Sequence, residues 1–140
     1  MRELLDRHLA FCQEHSPPED VHALRADDRL DPALTFFGSR DEGRLVAVGA
    51  LKRLDGDHAE LKSMHTAEAS RRRGVGQAML LHLLQTARER GVRQVSLETG
   101  TMPAFAPARA LYAKAGFQPC GVFGDYVESA HSCFMTLRLA

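Results

Sequence analysis

A single α/β domain over residues 1–140, with a mixed, mostly antiparallel central sheet flanked by helices, is what three observations predict. Between Ala33 and Thr66 lie three β-type segments separated by tight-turn signals. From about Gly74 to Arg90 runs one long helix with an apolar stripe. After it the pattern turns to strand, helix, strand and closing strand. A meander of hairpins followed by such alternation yields a mixed sheet with helices packed on it.

The elements follow in order. Arg2 to about Glu14 reads as an amphipathic helix, with Leu5, Leu9 and Cys12 on one side and Leu4, His8 and Phe11 beside them. Pro17-Pro18 stops it, and Ser16-Pro17-Pro18-Glu19 reads as a capping box for a second, short helix to about Arg25. Ala33 to Ser39 is aromatic enough for a strand, and Asp41-Glu42-Gly43 turns it back. Arg44 to Leu54 alternates poorly but is rich in Val and Leu, the pattern of a strand buried on both faces. Asp55-Gly56 marks a hairpin, and His58 to Thr66 returns as the third strand. Strict alternation there places Glu60, Lys62 and Met64 on one face and Leu61, Ser63 and His65 on the other, unless a bulge resets it.

Val75, Met79, Leu83 and Ala87, widened by Leu80 and Leu84, give the long helix its core side, and Gly91 ends it. Arg93 to Thr99 is a strand, Ala104 to Ala115 a helix ended by Gly116, and Phe117 to Gly121 a short strand. Val122 to His131 is a long loop, and Cys133 to Leu139 the closing strand.

Composition narrows the function classes. The chain is 44% hydrophobic and 26% charged, as an ordinary globular protein is, and its formal net charge is zero. That balance disfavours a general nucleic-acid or acidic-membrane binder. No apolar run approaches the ~20 residues of a membrane span, and the N-terminus lacks a signal-peptide pattern. The three cysteines, Cys12, Cys120 and Cys133, have no metal-type spacing and read as reduced thiols of a cytoplasmic protein. No residue cluster suggests a metal site.

The chemistry-bearing stretch is Arg71-Arg72-Arg73-Gly74-Val75-Gly76-Gln77 at the start of the long helix. Arginines crowd the positive end of the helix dipole, where cations are unfavourable unless an anion joins them. Glycines leave the N–H groups of the first turn approachable. Together these features describe a phosphate site, although an Arg run is more often a solvated face. The phosphate loop of the nucleotide hydrolases, Gly-x-x-x-x-Gly-Lys-[Ser/Thr], is absent, and Met79 stands where a dinucleotide fold needs its third glycine.

In context this stretch resembles the central motif of the Gcn5-related N-acetyltransferases (GNAT superfamily), [Gln/Arg]-x-x-Gly-x-[Gly/Ala], through Arg71, Gly74 and Gly76. A second motif, Leu-Tyr-x-x-x-Gly-Phe, is matched by Leu111-Tyr112-Ala113-Lys114-Ala115-Gly116-Phe117. The resemblance covers nearly the whole chain. It implies an acetyl-CoA-dependent N-acetyltransferase in which backbone groups of Met64, His65 and Thr66 hold the pantetheine arm. Residues Arg71, Arg72, Arg73, Gly74, Val75, Gly76 and Gln77 would hold the pyrophosphate. Phe105 stands where many members have an Asn, so it would pack against the arm rather than hydrogen-bond it.

The resemblance also assigns Tyr112 as the acid for the departing sulfur, against the plainer role of a core tyrosine. Glu60, six residues before Thr66, matches the glutamate base of the histone-acetylating members; its plainer role is a strand-surface charge paired with Lys62 or an Arg. His65 is the other group that titrates near neutrality. The acceptor side is expected to draw on His22, Glu98, Thr99, Phe123, Asp125 and Tyr126. Asp125-Tyr126 after Gly-Phe…Cys-Gly resembles a bacterial subgroup acting on small molecules, which makes a free amine the expected acceptor. A non-catalytic acyl-CoA sensor, or an enzyme acetylating a protein lysine or N-terminus, are the alternatives. The sequence begins inside the family's first helix, so either the preceding strand is lacking or the sequence starts late; a lacking strand would leave a sheet edge open to pairing in a homodimer.

Overall fold

The structure, a computed structural model, describes residues 33–41, 44–66, 74–124 and 126–139. Among the described residues six strands form one sheet: β1 (Leu34–Asp41), β2 (Arg44–Arg53), β3 (His58–Thr66), β4 (Gln94–Gly100), β5 (Gln118–Pro119) and β6 (Ser132–Arg138). Their order is β1-β2-β3-β4-β6-β5. Only β3 and β4 run parallel; every other neighbouring pair is antiparallel. Helices α1 (Val75–Glu89) and α2 (Ala106–Lys114) both pack on one face, here the helix face. The mixed sheet expected from the sequence is the sheet observed. Among the described residues, no helix is long and apolar enough to cross a membrane.

The core lies between α1 and the sheet. Met79, Leu80, Leu83, Leu84 and Ala87 are buried against Ala47, Leu51, Leu61, Val95 and Leu97. On β2 the intervening residues Val46, Val48 and Ala50 are buried too, so this strand is covered on both faces, as its weak alternation implies. The β2–β3 turn is held by Asp55, whose Oδ1 accepts the backbone N–H groups of Asp57 and His58 at 3.1 and 3.0 Å. Those bonds, that from Asp57 foremost, hold its carboxyl below the usual range.

Both helices stop in the same way. Gly91 has φ 82° and Gly116 φ 106°. After α1 the N–H of Val92 donates to the Ala87 carbonyl and that of Gly91 to Arg88. After α2 the N–H of Phe117 donates to Tyr112 and that of Gly116 to Ala113. These are paired Schellman stops, in which the left-handed residue favours glycine and the residue after it packs back on the last turn. Phe117 does so edge-on to Tyr112, with ring centroids 5.9 Å apart. The Tyr-x-x-x-Gly-Phe spacing is therefore also a helix stop.

Three expectations change. In β3 the partners step from Val48↔His65 to Ala50↔Lys62, so β3 carries one extra residue there. This bulge moves Met64 to the helix face, beside Leu83 and Met79, while Glu60 and Lys62 stay on the far face. The short strand Phe117–Gly121 shrinks to Gln118–Pro119, with one further backbone bond to β6, from the Cys120 N–H to the Phe134 carbonyl at 2.9 Å. The helix expected from Ala104 begins instead as a 3₁₀ turn, Pro103–Phe105, that leads into α2. The two N-terminal helices, the Glu42-Gly43 turn and the question of a preceding strand lie outside the described residues.

Gly49 of β2 sits under α1, where a Cβ would come within 2.7 Å of Leu83 Cδ1. Gly49→Val is expected to destabilise the fold by about 1–3 kcal/mol in urea unfolding through overpacking. Gly56→Ala, where a Cβ meets nothing within 4 Å, should change it little.

Candidate active site

The site begins where β3 and β4 part. Their pairing runs from His58↔Gln94 to Leu61↔Leu97 and ends, although β3 continues to Thr66 and β4 to Gly100. Beyond that point each follows its outer neighbour, β3 as far as Ala47↔Thr66 and β4 as far as Gly100↔Ser132. The far end of β4 is held from α2, where Arg109 Nη1 donates to the carbonyls of Gly100 and Met102 at 2.6 and 3.1 Å. Phe105 lies against Gly100 so closely that a Cβ there would come within 2.4 Å of its ring. A bulge bends one strand and an arginine with a ring fixes the other. The result is a wedge-shaped gap in the sheet.

The helix face of the gap carries the start of α1. Gly74, at φ 78°, precedes the helix, and its carbonyl takes the first helical bond, from Ala78. No side chain caps this end, and the first turn holds no acidic residue. The N–H groups of Val75, Gly76 and Gln77 thus precede the first helical bond, the arrangement that suits a phosphate. Gly76 lets α1 approach β3: a Cβ would lie 3.2 Å from Thr66 Oγ1. Tyr112 is buried in the helix-side core.

The far face carries a polar cluster. Glu60 is only 4% exposed. Its Oε2 accepts a short hydrogen bond from the Tyr126 hydroxyl. Lys62 Nζ lies 3.8 Å from the same carboxylate oxygen and donates to the Tyr126 hydroxyl at 3.4 Å. Burial foremost, then the charge of Glu60, pushes the Tyr126 phenol far above its usual range, with Glu98 adding to the effect. Phe123, Tyr126 and Phe134 meet edge-on, with centroids 5.4–5.9 Å apart, and so hold the loop after β5 against this face. Deeper along the same face His58 Nε2 lies 2.7 Å from Ser96 Oγ, itself 2.9 Å from Thr136 Oγ1. At the open end, Ser132 Oγ is buried with no hydrogen-bond partner among the described residues. A buried polar atom left in this way suits a polar ligand in the gap.

The expected site residues divide accordingly. Met64 and Thr66 face the helices and His65 the far side, as its pairing with Val48 requires. Glu98 and Thr99 are neighbours in β4 and so point to opposite faces; only Glu98 joins Glu60 and Tyr126. Phe123 and Tyr126 reach the far face, and Phe105 is spent on Gly100. The surface-charge reading of Glu60 fails on its burial, although the pairing with Lys62 is real. His22, Arg71, Arg72, Arg73 and Asp125 lie outside the described residues. Sequence reasoning missed Arg109, Ser96 and Phe134. The period-two pattern Glu60/Lys62, Ser96/Glu98 and Phe134/Thr136 was the available signal for the last two. Among the described residues no group of His, Cys, Asp and Glu side chains could hold a metal.

Comparison with known proteins agrees with this geometry. The family model described as "Acetyltransferase (GNAT) family" matches residues 1–117. The chain is 43% identical over 136 residues to the uncharacterized N-acetyltransferase YsnE of Bacillus subtilis, covering 97% of this chain and 90% of that protein. A putative acyl-CoA N-acyltransferase structure from Klebsiella pneumoniae superposes with a TM-score of 0.79 at 26% identity, covering 99% of this chain and 88% of the other. A GNAT family acetyltransferase of Elizabethkingia anophelis, solved with acetyl-CoA bound, shares the fold with a TM-score of 0.69 at 17% identity, covering 81% of each chain.

Gly76→Glu would place a carboxylate in the first turn of α1 and press on Thr66. It is expected to abolish acetyl-CoA binding in calorimetric titration, whereas Gly56→Ala in the distant hairpin keeps wild-type affinity. Arg109→Met should weaken acetyl-CoA binding several-fold by releasing the end of β4.

Proposed function

Since the chain belongs to the GNAT acetyltransferase family and is an acetyl-CoA-dependent N-acetyltransferase, we propose that it acetylates the primary amine of a small molecule by direct attack, with Glu60 as base and Tyr112 as acid. The observation that supports the reading is that Tyr112 lies in the helix-side core and Glu60 in the polar cluster of the far face, on opposite sides of the sheet that parts between β3 and β4. Acetyl-CoA supplies an activated acetyl thioester. Everything else falls to side chains and backbone of this chain.

In this reading the first turn of α1 binds the phosphates, and the run of β3 from Met64 to Thr66, which has parted from β4, guides the arm into the gap. The acceptor enters from the far face. There Glu60 removes the proton that its nitrogen must lose, and Glu98 helps orient the amine. From the helix face the Tyr112 hydroxyl returns a proton to the departing sulfur. One gap thus keeps acid and base apart, so that they do not neutralise each other.

Direct attack is favoured over a covalent relay through cysteine. Burial foremost, then the nearby Cys133, pushes the Cys120 thiol above its usual range and keeps it a poor nucleophile. A small acceptor is favoured because Phe123, Tyr126 and Phe134 close together over the far face, which suits a compact amine better than an extended peptide.

Thiol release from acetyl-CoA, followed with a panel of primary amines, tests the reading. With the best acceptor, Glu60→Gln is expected to lower kcat by about 10²–10⁴-fold, with acetyl-CoA affinity retained. Tyr112→Phe should lower kcat with little change in that affinity. A fully active Tyr112→Phe enzyme would leave Tyr112 only its part in the helix stop.

A further inference from the structure

We propose that Tyr126 is a catalytic proton relay: the acceptor nitrogen gives its proton to the Tyr126 hydroxyl oxygen while that hydroxyl passes its own proton to Glu60. The inference rests on the assignment of Glu60 as base and names the atom through which that base is reached.

Three observations lead to it. The Glu60 side chain is 5% exposed, so an acceptor arriving from solvent does not reach the carboxylate without an intermediary. Tyr126 covers it, is the more exposed of the two, and donates to Glu60 Oε2. Lastly, the Tyr126 oxygen already takes an ammonium donor, because Lys62 Nζ points a hydrogen at it from 3.4 Å. An acceptor ammonium or amine N–H is a donor of the same kind.

The proton count closes. As the acceptor nitrogen bonds to the acetyl carbon and the carbon–sulfur bond breaks, the nitrogen sheds one proton to Tyr126 Oη. The Tyr126 O–H bond breaks and a new O–H bond forms on Glu60. Tyr126 ends as it began, a neutral phenol, and Glu60 ends as a neutral acid that later returns its proton to water. The two transfers must be coupled, because a phenol buried beside Glu60 and Glu98 does not persist as a phenolate. Lys62, 3.8 Å from Glu60, supplies the counter-charge before transfer, and the rings of Phe123 and Phe134 hold the phenol in place. His58 lies further along the face and is engaged with Ser96, so it is not part of the relay.

The test uses the full chain with acetyl-CoA and a panel of primary amines including putrescine, tyramine and the free amino acids, read by thiol release. Tyr126→Phe is expected to lower kcat by about 10²–10⁴-fold, as Glu60→Gln does, with KM for acetyl-CoA unchanged. Because the two groups act in series, Glu60→Gln should cost little further in the Tyr126→Phe background. Full kcat for Tyr126→Phe, or losses that multiply in the double variant, would overturn the relay. A second readout does not need an acceptor. The chain has no tryptophan and two tyrosines, so its fluorescence reports on Tyr112 and Tyr126. Glu60→Gln should raise the emission by removing the quenching carboxylate, and this rise should vanish when Tyr126 is Phe; an unchanged emission would refute the contact. If the wild-type chain releases no thiol with any amine, the small-amine reading itself fails and the relay falls with it. Val127→Ser, at a loop position 74% exposed, serves as the control with wild-type kcat.

Discussion

The early parting of β3 from β4 is the constraint on which the rest of the site depends. Four residue pairs join the strands, and beyond Leu61↔Leu97 the parallel ladder ends. Backbone polar groups normally find partners, so a sheet opened in its middle needs forces that hold it open. Here they are local. The bulge in β3 bends that strand onto β2, and Arg109 ties the last carbonyls of β4 to α2. Phe105, laid against Gly100, fills what would otherwise be a void. The gap is fixed before any ligand arrives, so little binding energy goes to forming it.

The opening also joins two chemically different surfaces. On the helix side lies an apolar core that includes Tyr112, and the helix terminus at Gly74 has no side-chain cap. On the far side the strands present Glu60, Ser96, Glu98 and Thr136, covered by an aromatic loop. A buried carboxylate is costly unless it is paired and hydrogen-bonded, and Glu60 is both, through Lys62 and Tyr126. The same cluster that makes its burial tolerable is the one the proposed chemistry uses. Stability and chemistry share these contacts, so variants here need binding and folding controls beside activity.

Much of this was legible in the sequence. Period-two and period-3.6 patterns located the described strands and helices, because burial on one face leaves a mark every second or every third and fourth residue. The glycine stops at Gly91 and Gly116 were readable for the same reason: the left-handed residue of a Schellman stop is almost always glycine. The bulge was not. An extra residue at Ser63-Met64 changes no composition, and only the pairing with Val48 and Ala50 reveals it. Contacts between distant segments were equally hidden. Tyr126 reaches Glu60 across 66 residues, and Arg109 bonds two backbone carbonyls that no side-chain motif encodes. Glu60 and Tyr126 could each be named as candidates, but not that one covers the other.

The most direct test of the central claim is a backbone NMR titration of the chain with acetyl-CoA. If the gap receives the thioester, the largest amide shifts should fall on Met64–Thr66, Gly74–Gln77 and Glu98–Thr101, with the β2–β3 turn around Gly56 unmoved. Saturable shifts confined to other surfaces, with these three segments silent, would contradict the gap as the place where the acetyl group is held.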